Sequence, residues 1–171
     1  MLYLLDANTL IDAKRDYFQF ERVPEFWDWL QNQGKIGNIK VPLEIYEEFE
    51  ESRKSDGSRD ELSEWAASPA VREALLLAED ADPELVAFVT TNGYAADLKD
   101  DEIEKIGRDP FLIAYALSDQ ANRTIVSTEV SKPSRLRANR QVPDVCRGLN
   151  IRCINNFILL NELDFRTSWR G

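Results

Sequence analysis

Leu2-Tyr3-Leu4-Leu5-Asp6-Ala7-Asn8-Thr9-Leu10-Ile11 decides the fold: an apolar run of strand length ends on an aspartate, and the residues after it suit a turn into a helix. Related handovers recur along the chain. Ile39-Lys40-Val41-Pro42 leads to Glu44 and Glu48, Asp109 stands before Pro110-Phe111-Leu112-Ile113-Ala114, and Thr124-Ile125-Val126-Ser127-Thr128 runs into Glu129. In an open parallel α/β sheet the carboxyl ends of the strands share one rim, where ligands bind, so these distant acids are expected to converge there. Converging carboxylates repel one another unless a cation compensates them, which implies a divalent metal.

The bulk numbers agree with one domain spanning residues 1–171. At 43% apolar and 30% charged composition, a chain of 171 residues is large enough to bury a real core. Nothing approaches the roughly 18 consecutive apolar residues of a membrane span, and the first strand follows no basic leader, so the expectation is a cytoplasmic protein without a membrane partner. Cys146 and Cys153 are seven apart, and the chain has no histidine. That combination excludes Cys-x-x-Cys zinc sites, serine-histidine triads and His-Glu-x-x-His hydrolases, and predicts two reduced structural thiols. Any chemistry must rest on carboxylates.

A net charge of −10 argues against coating nucleic acid by bulk charge. The charge is uneven, however. Between Gln120 and Cys153 the bases Arg123, Lys132, Arg135, Arg137, Arg140, Arg147 and Arg152 outnumber Glu129 and Asp144, a local excess of +5 that leaves −15 on the rest.

Val23 to Gln33 reads as a helix with Pro24 early and Gly34 as its stop. Ile39 to Val41 is a second strand, and Leu43 to Arg53 an acidic helix with Ile45, Tyr46 and Phe49 as its apolar stripe. A helical insert fills approximately 55–107, marked by Ser68-Pro69 and Asp82-Pro83 as caps with a first turn. A helix from Asp109 to about Asn122, a strand from Thr124 to Ser127, a helix from Val142 to Gly148, a strand from Ile151 to Ile154 and a last helix from Asn156 complete the order. Strands alternating with helices predict an α/β fold with a central parallel sheet of about four strands.

Each acid alone has a structural explanation. Asp109 before Pro110 suits an N-cap, Glu44 and Asp144 suit first helical turns, and Glu47, Glu48, Glu50 and Glu51 suit a solvated face. Those explanations do not require acids at the ends of three strands together. Glu44 and Glu48 are four apart and share a helix face, so either could point inward.

The quoted segments resemble the motifs of the PIN-domain family. Leu4 to Ile11 looks like its opening, Ile45-Tyr46-Glu47-Glu48-Phe49 like its second motif, Asp109 to Ala114 like its third, and Ile125-Val126-Ser127-Thr128-Glu129 like its fourth. The resemblance implies a three-layer PIN-like sandwich and a metal-dependent ribonuclease. Residue by residue, the implied metal-binding and catalytic acids are Asp6, Glu48, Asp109 and Glu129, with Asn8 as a polar partner. Two departures stand out: the family usually carries aspartate where Glu129 stands, and the insert is longer than in compact members. Asp144 is an extra acid able to supplement or replace Glu129.

Hard oxygen donors select Mg²⁺ or Mn²⁺ over zinc. Lys132, Arg135, Arg137 and Arg140 follow Glu129 on an expected loop, where they would hold phosphates of an RNA substrate. Their alternative is a solvated loop with ordinary salt bridges, and Trp27, Trp29, Trp65 and Trp169 are read as core rather than as base-stacking residues. Small PIN relatives are often the toxin of a bacterial toxin–antitoxin pair and commonly form homodimers, so an antitoxin protein and a second copy are the implied partners. A non-catalytic α/β module using the same rim is the rival reading.

Overall fold

Tyr3, Leu4 and Leu5 are buried, which places β1 (Leu2–Leu5) in the interior of a sheet rather than at its edge. In the computed structural model, which describes residues 1–53 and 55–170, β2 (Ile39–Lys40) pairs with one side of β1 and β3 (Arg123–Val126) with the other. β4 (Cys153–Ile154) then pairs with β3, giving the order β2-β1-β3-β4 with every pair parallel. Helices flank this sheet, so the molecule is the α/β architecture predicted. The register sets Leu5 beside Val126, so the chain leaves β1 at Asp6 next to where it leaves β3 at Ser127. Successive connections depart to opposite sides of β1, which makes the crevice between β1 and β3 the switch point of the sheet.

The helices are α1 (Ala7–Asp12), α2 (Pro24–Lys35), α3 (Leu43–Glu50), α4 (Glu61–Ala66), α5 (Pro69–Leu75), α6 (Pro83–Phe88), α7 (Asp100–Ile106), α8 (Asp109–Leu117), α9 (Val142–Gly148) and α10 (Asn156–Glu162). Most bounds fall within a few residues of the sequence reading. Two differences have physical causes. The insert contributes backbone pairing to the sheet: the Val41 N–H donates to Leu75 O at 2.8 Å and the Leu77 N–H to Val41 O at 2.9 Å, a parallel bridge at Leu76 beyond β2. Gly34 lies inside α2 rather than after it, because a Cβ there would stand 2.7 Å from both Ala74 O and Leu75 Cδ2 of α5. Glycine is needed for the close approach of the two helices, and Gly37, with φ +82, accommodates the reversal that follows.

Two helical stretches are underwound. Ala13–Tyr17 continues α1 and Val89–Tyr94 continues α6, with wide turns such as the Ala95 N–H donating to Thr90 O at 3.2 Å. Cys146 is buried, Cys153 is half-buried, and both are free thiols. Trp27 and Trp29 are buried among Phe20, Phe26 and Phe165, with Phe20 stacked on Trp27 at 4.0 Å between ring centroids. No helix among the described residues is long and apolar enough to cross a membrane.

Candidate metal centre at the sheet rim

Asp6 stands at the end of β1, 4% exposed, with an extended backbone that turns the chain into α1. Its side chain makes no capping hydrogen bond; instead its Oδ2 accepts from Ser127 Oγ at 2.7 Å, across the crevice to the end of β3. Thr9 Oγ1 donates to Val126 O at 3.0 Å and Thr128 Oγ1 to Asp12 Oδ2 at 2.5 Å, so α1 is tied to the end of β3 along its length. Burial is the main reason the Asp6 carboxyl is pushed up to about 6; Ser127 opposes the rise, the charge of Glu129 adds to it, and the N–H groups of Asn8 and Ala7 oppose it.

Asp109 opens α8 from inside its first turn, with Arg108 in the capping position, and it too makes no cap. Its Oδ2 faces the Tyr94 hydroxyl at 3.4 Å. Its carboxyl is pushed up to about 8, first by burial and then by the charges of Asp6, Glu129 and Glu48, while Tyr94 opposes the rise. Those causes reflect the grouping of the site, because the charges of acids from three other segments bear on this one carboxylate. Acids elsewhere in the chain do cap helices: Asp60 accepts from the Ser63 N–H at 2.8 Å and Asp82 from the Glu84 N–H at 2.9 Å. Capping therefore does not explain Asp6 or Asp109.

Glu48 lies on α3, exposed at the open side of the rim, and its carboxyl is raised first by loss of hydration and next by the charge of Asp6, with Arg108 opposing. Glu44, one turn earlier, points elsewhere. Its charge bears on the Tyr115 hydroxyl, which donates to Glu79 O at 3.2 Å, and one Glu44 carboxylate oxygen is buried without a hydrogen-bond partner among the described residues. Of the two glutamates, Glu48 is the one that faces the aspartates. Glu129 Oε2 accepts from the Val142 N–H at 2.7 Å, and the Glu129 N–H donates to Ser127 Oγ at 3.2 Å. It thus caps α9 with one oxygen while its charge reaches Asp6 and Asp109.

Asp144 is not gathered with these four. Buried at 6% exposure, its carboxylate accepts from Ser131 Oγ at 2.5 Å, the Lys132 N–H at 2.6 Å and Arg147 at 3.3 Å. Burial alone would raise its pKa, but these donors, with the charges of Arg147 and Arg140, hold it below the ordinary carboxylate range. Asp144 organises the loop after Glu129. Asn8 is exposed on the first turn of α1, next to Asp6.

The four basic residues divide into two pairs. Arg137 is bound to Asp97 at 2.6 Å and Glu102 at 2.7 Å, and Arg140 donates to Gly93 O and, at 2.8 Å, to Asp144 O. Lys132 and Arg135 are exposed, and their side chains have no hydrogen-bond or ion-pair partner among the described residues. Val130 and Leu136 on the same loop are 71% and 70% exposed. Three residues joined to the site were not singled out in the sequence: Ser127, Tyr94 and Arg108. Ser127 lies within the quoted fourth segment, two residues before Glu129, so its hydroxyl was a visible signal. Tyr94 and Arg108 carry no motif.

Among the described residues no three His, Cys, Asp or Glu side chains are grouped to hold a metal ion as they lie. The donor set nevertheless fits a hard divalent cation, since it is made of carboxylates whose mutual repulsion is relieved by positive charge. Asp6 and Asp109 each receive a hydroxyl at one oxygen.

No curated protein and no solved structure matches the chain. The family described as "Domain of unknown function (DUF4411)" matches residues 3–167, and the chain belongs to that family.

Proposed function

We propose that the chain is a metal-dependent endoribonuclease that hydrolyses RNA phosphodiester bonds at the rim formed by Asp6, Glu48, Asp109 and Glu129, and that it acts as the toxin of a bacterial toxin–antitoxin pair. The observation that supports this reading is that the charges of Asp6, at the switch point of a parallel sheet, and of Glu48 and Glu129 all bear on the half-buried Asp109. The four carboxylates would hold Mg²⁺ or Mn²⁺, which supplies charge neutralisation at the phosphate and a lowered pKa for the attacking water.

The chain's own residues do the remaining work. Ser127 fixes the Asp6 carboxylate, Arg108 offsets the charge at Glu48, and the burial of Asp6 beside the half-buried Asp109 strengthens the charge interaction between them. Lys132 and Arg135 draw the flanking phosphates toward a rim that is otherwise acidic. An antitoxin would bind the same rim by presenting Arg or Lys to the carboxylates, with the exposed Val130 and Leu136 as its apolar neighbours.

The test is incubation of the purified protein with single-stranded and structured RNA in Mg²⁺, Mn²⁺ or EDTA, beside Asp6→Asn and Asp109→Asn. Cleavage that needs metal and disappears in both variants is expected; cleavage unchanged in the variants, or none with either metal, would refute the nuclease reading. The rival reading is a non-catalytic module that binds RNA or protein at this rim. In that case Asp6→Asn leaves RNA or protein binding intact.

A further inference from the structure

A carboxylate that holds a metal ion is ionised, accepting hydrogen bonds and donating none, so a donor built in among such groups has a purpose that packing does not require. Ser127 is one such donor, serving Asp6. The other is Tyr94. Its ring is buried, and its hydroxyl lies 3.4 Å from Asp109 Oδ2, long for an O–H···O contact but aimed at that oxygen.

The segment that carries Tyr94 is held by its neighbours rather than left loose. Val89–Tyr94 is underwound, a conformation that re-aims the last side chain relative to a regular helix. Gly93 packs so closely on α9 that a Cβ would meet Val145 Cγ1 at 2.7 Å, and its carbonyl accepts from Arg140. Arg140 also donates to Asp144 O, and the Asp144 carboxylate holds the loop after Glu129. A continuous chain of contacts therefore joins that loop to Tyr94 and so to Asp109. It gives Arg140 a task other than holding phosphate.

We propose that Tyr94 is a positioning residue of the carboxylate site: its hydroxyl fixes one oxygen of Asp109 and leaves the other facing the shared space. The inference rests on the metal reading above. Outer partners of this kind orient a ligand and tune its basicity, and their removal typically weakens metal binding by about 10–100-fold.

Mn²⁺ binding by calorimetry tests it without any substrate. Tyr94→Phe, which removes one hydroxyl and keeps the ring, is expected to bind Mn²⁺ about tenfold more weakly than the parent at unchanged stoichiometry. If Tyr94 acts through Asp109, the same change in an Asp109→Asn background has no further effect. Parent-like affinity, within about twofold, in Tyr94→Phe overturns the proposal, as does a Tyr94→Phe protein that fails to fold, since its hydroxyl would then be structural. A parent protein that binds no Mn²⁺ refutes the metal reading itself, which separates the two failures.

Discussion

Ser127 Oγ donates to Asp6 Oδ2 at 2.7 Å, joining the ends of the two central strands through a buried hydroxyl–carboxylate bond. Such a bond is stronger when the acceptor is charged, and it favours the ionised form of an acid that burial pushes up to about 6. Ser127→Ala should destabilise the metal-free fold by about 1–3 kcal/mol at pH 8 and by less at pH 5, where Asp6 holds its proton in the parent as well. Urea unfolding at both pH values measures this, and equal losses would show that the bond does not depend on the charge of Asp6.

Asp109 is held up to about 8 and Asp6 to about 6, against an ordinary value of 3.8. A folded carboxyl with a raised pKa binds more protons than the unfolded chain between the two values, so its contribution to stability falls as pH rises through that window. The metal-free protein is expected to lose melting temperature between about pH 5 and pH 8. Asp109→Asn should flatten that decline and at pH 8 be more stable than the parent by on the order of 1–3 kcal/mol. Parallel pH profiles for the two proteins would remove Asp109 as the cause.

The same repulsion predicts a response to divalent ions. A ligand that binds the folded state alone stabilises it by RT ln(1 + [L]/Kd), about 2.7 kcal/mol at a hundredfold excess over Kd. Mn²⁺ at pH 7.5 should raise the melting temperature of the parent and leave the Asp6→Asn, Asp109→Asn double variant unmoved. An equal rise in both would place the ion elsewhere on this acidic surface.

Local patterns in the sequence reached the fold and part of the site. Leu2 to Leu5 and Thr124 to Val126 are apolar strands that end on polar residues, and nearest-neighbour chemistry is enough to place Asp6 and Glu129 at strand ends. The choice between Glu44 and Glu48 needed the rotation of α3 about its axis, which pairing of Arg108 with Glu47 at 2.9 Å helps to set and which no spacing rule reveals. Tyr94 and Arg137 were unreadable for the same reason. Arg137 finds Asp97 and Glu102 at 40 and 35 residues' remove, and Tyr94, at the end of an underwound segment, reaches Asp109 fifteen residues on. Gly34 was legible as a glycine near a helix end, but its contact with α5 lies forty residues on, at Ala74.

That contact gives a stability prediction independent of the site. Gly34→Ala gains helix propensity of roughly 1 kcal/mol, yet its methyl meets a backbone carbonyl that cannot easily yield. Forcing α2 away from α5 is expected to cost about 1–3 kcal/mol net, with the bridge at Leu76 loosened. Chemical denaturation checks the loss, and a variant as stable as the parent would mean that α5 shifts without strain.

The side chains of Lys132 and Arg135 have no hydrogen-bond or ion-pair partner among the described residues, whereas that of Arg137 is bound to two acids, and this difference separates roles that composition alone joins. Each phosphate neutralised on a single strand contributes about 0.7 to the slope of log affinity against log salt, so replacing both free cations by alanine should shallow that slope by about 1.4. The loss should be uniform across RNA sequences, as expected for contacts to the backbone rather than to bases. Arg137→Ala should instead lower the melting temperature, by detaching the loop from Asp97 and Glu102, while leaving the salt slope unchanged. Binding of RNA to catalytically silenced Asp6→Asn protein across a salt series decides between them. If Arg137→Ala shallows the slope as much as the double alanine variant does, its bonds to Asp97 and Glu102 give way to phosphate when RNA arrives.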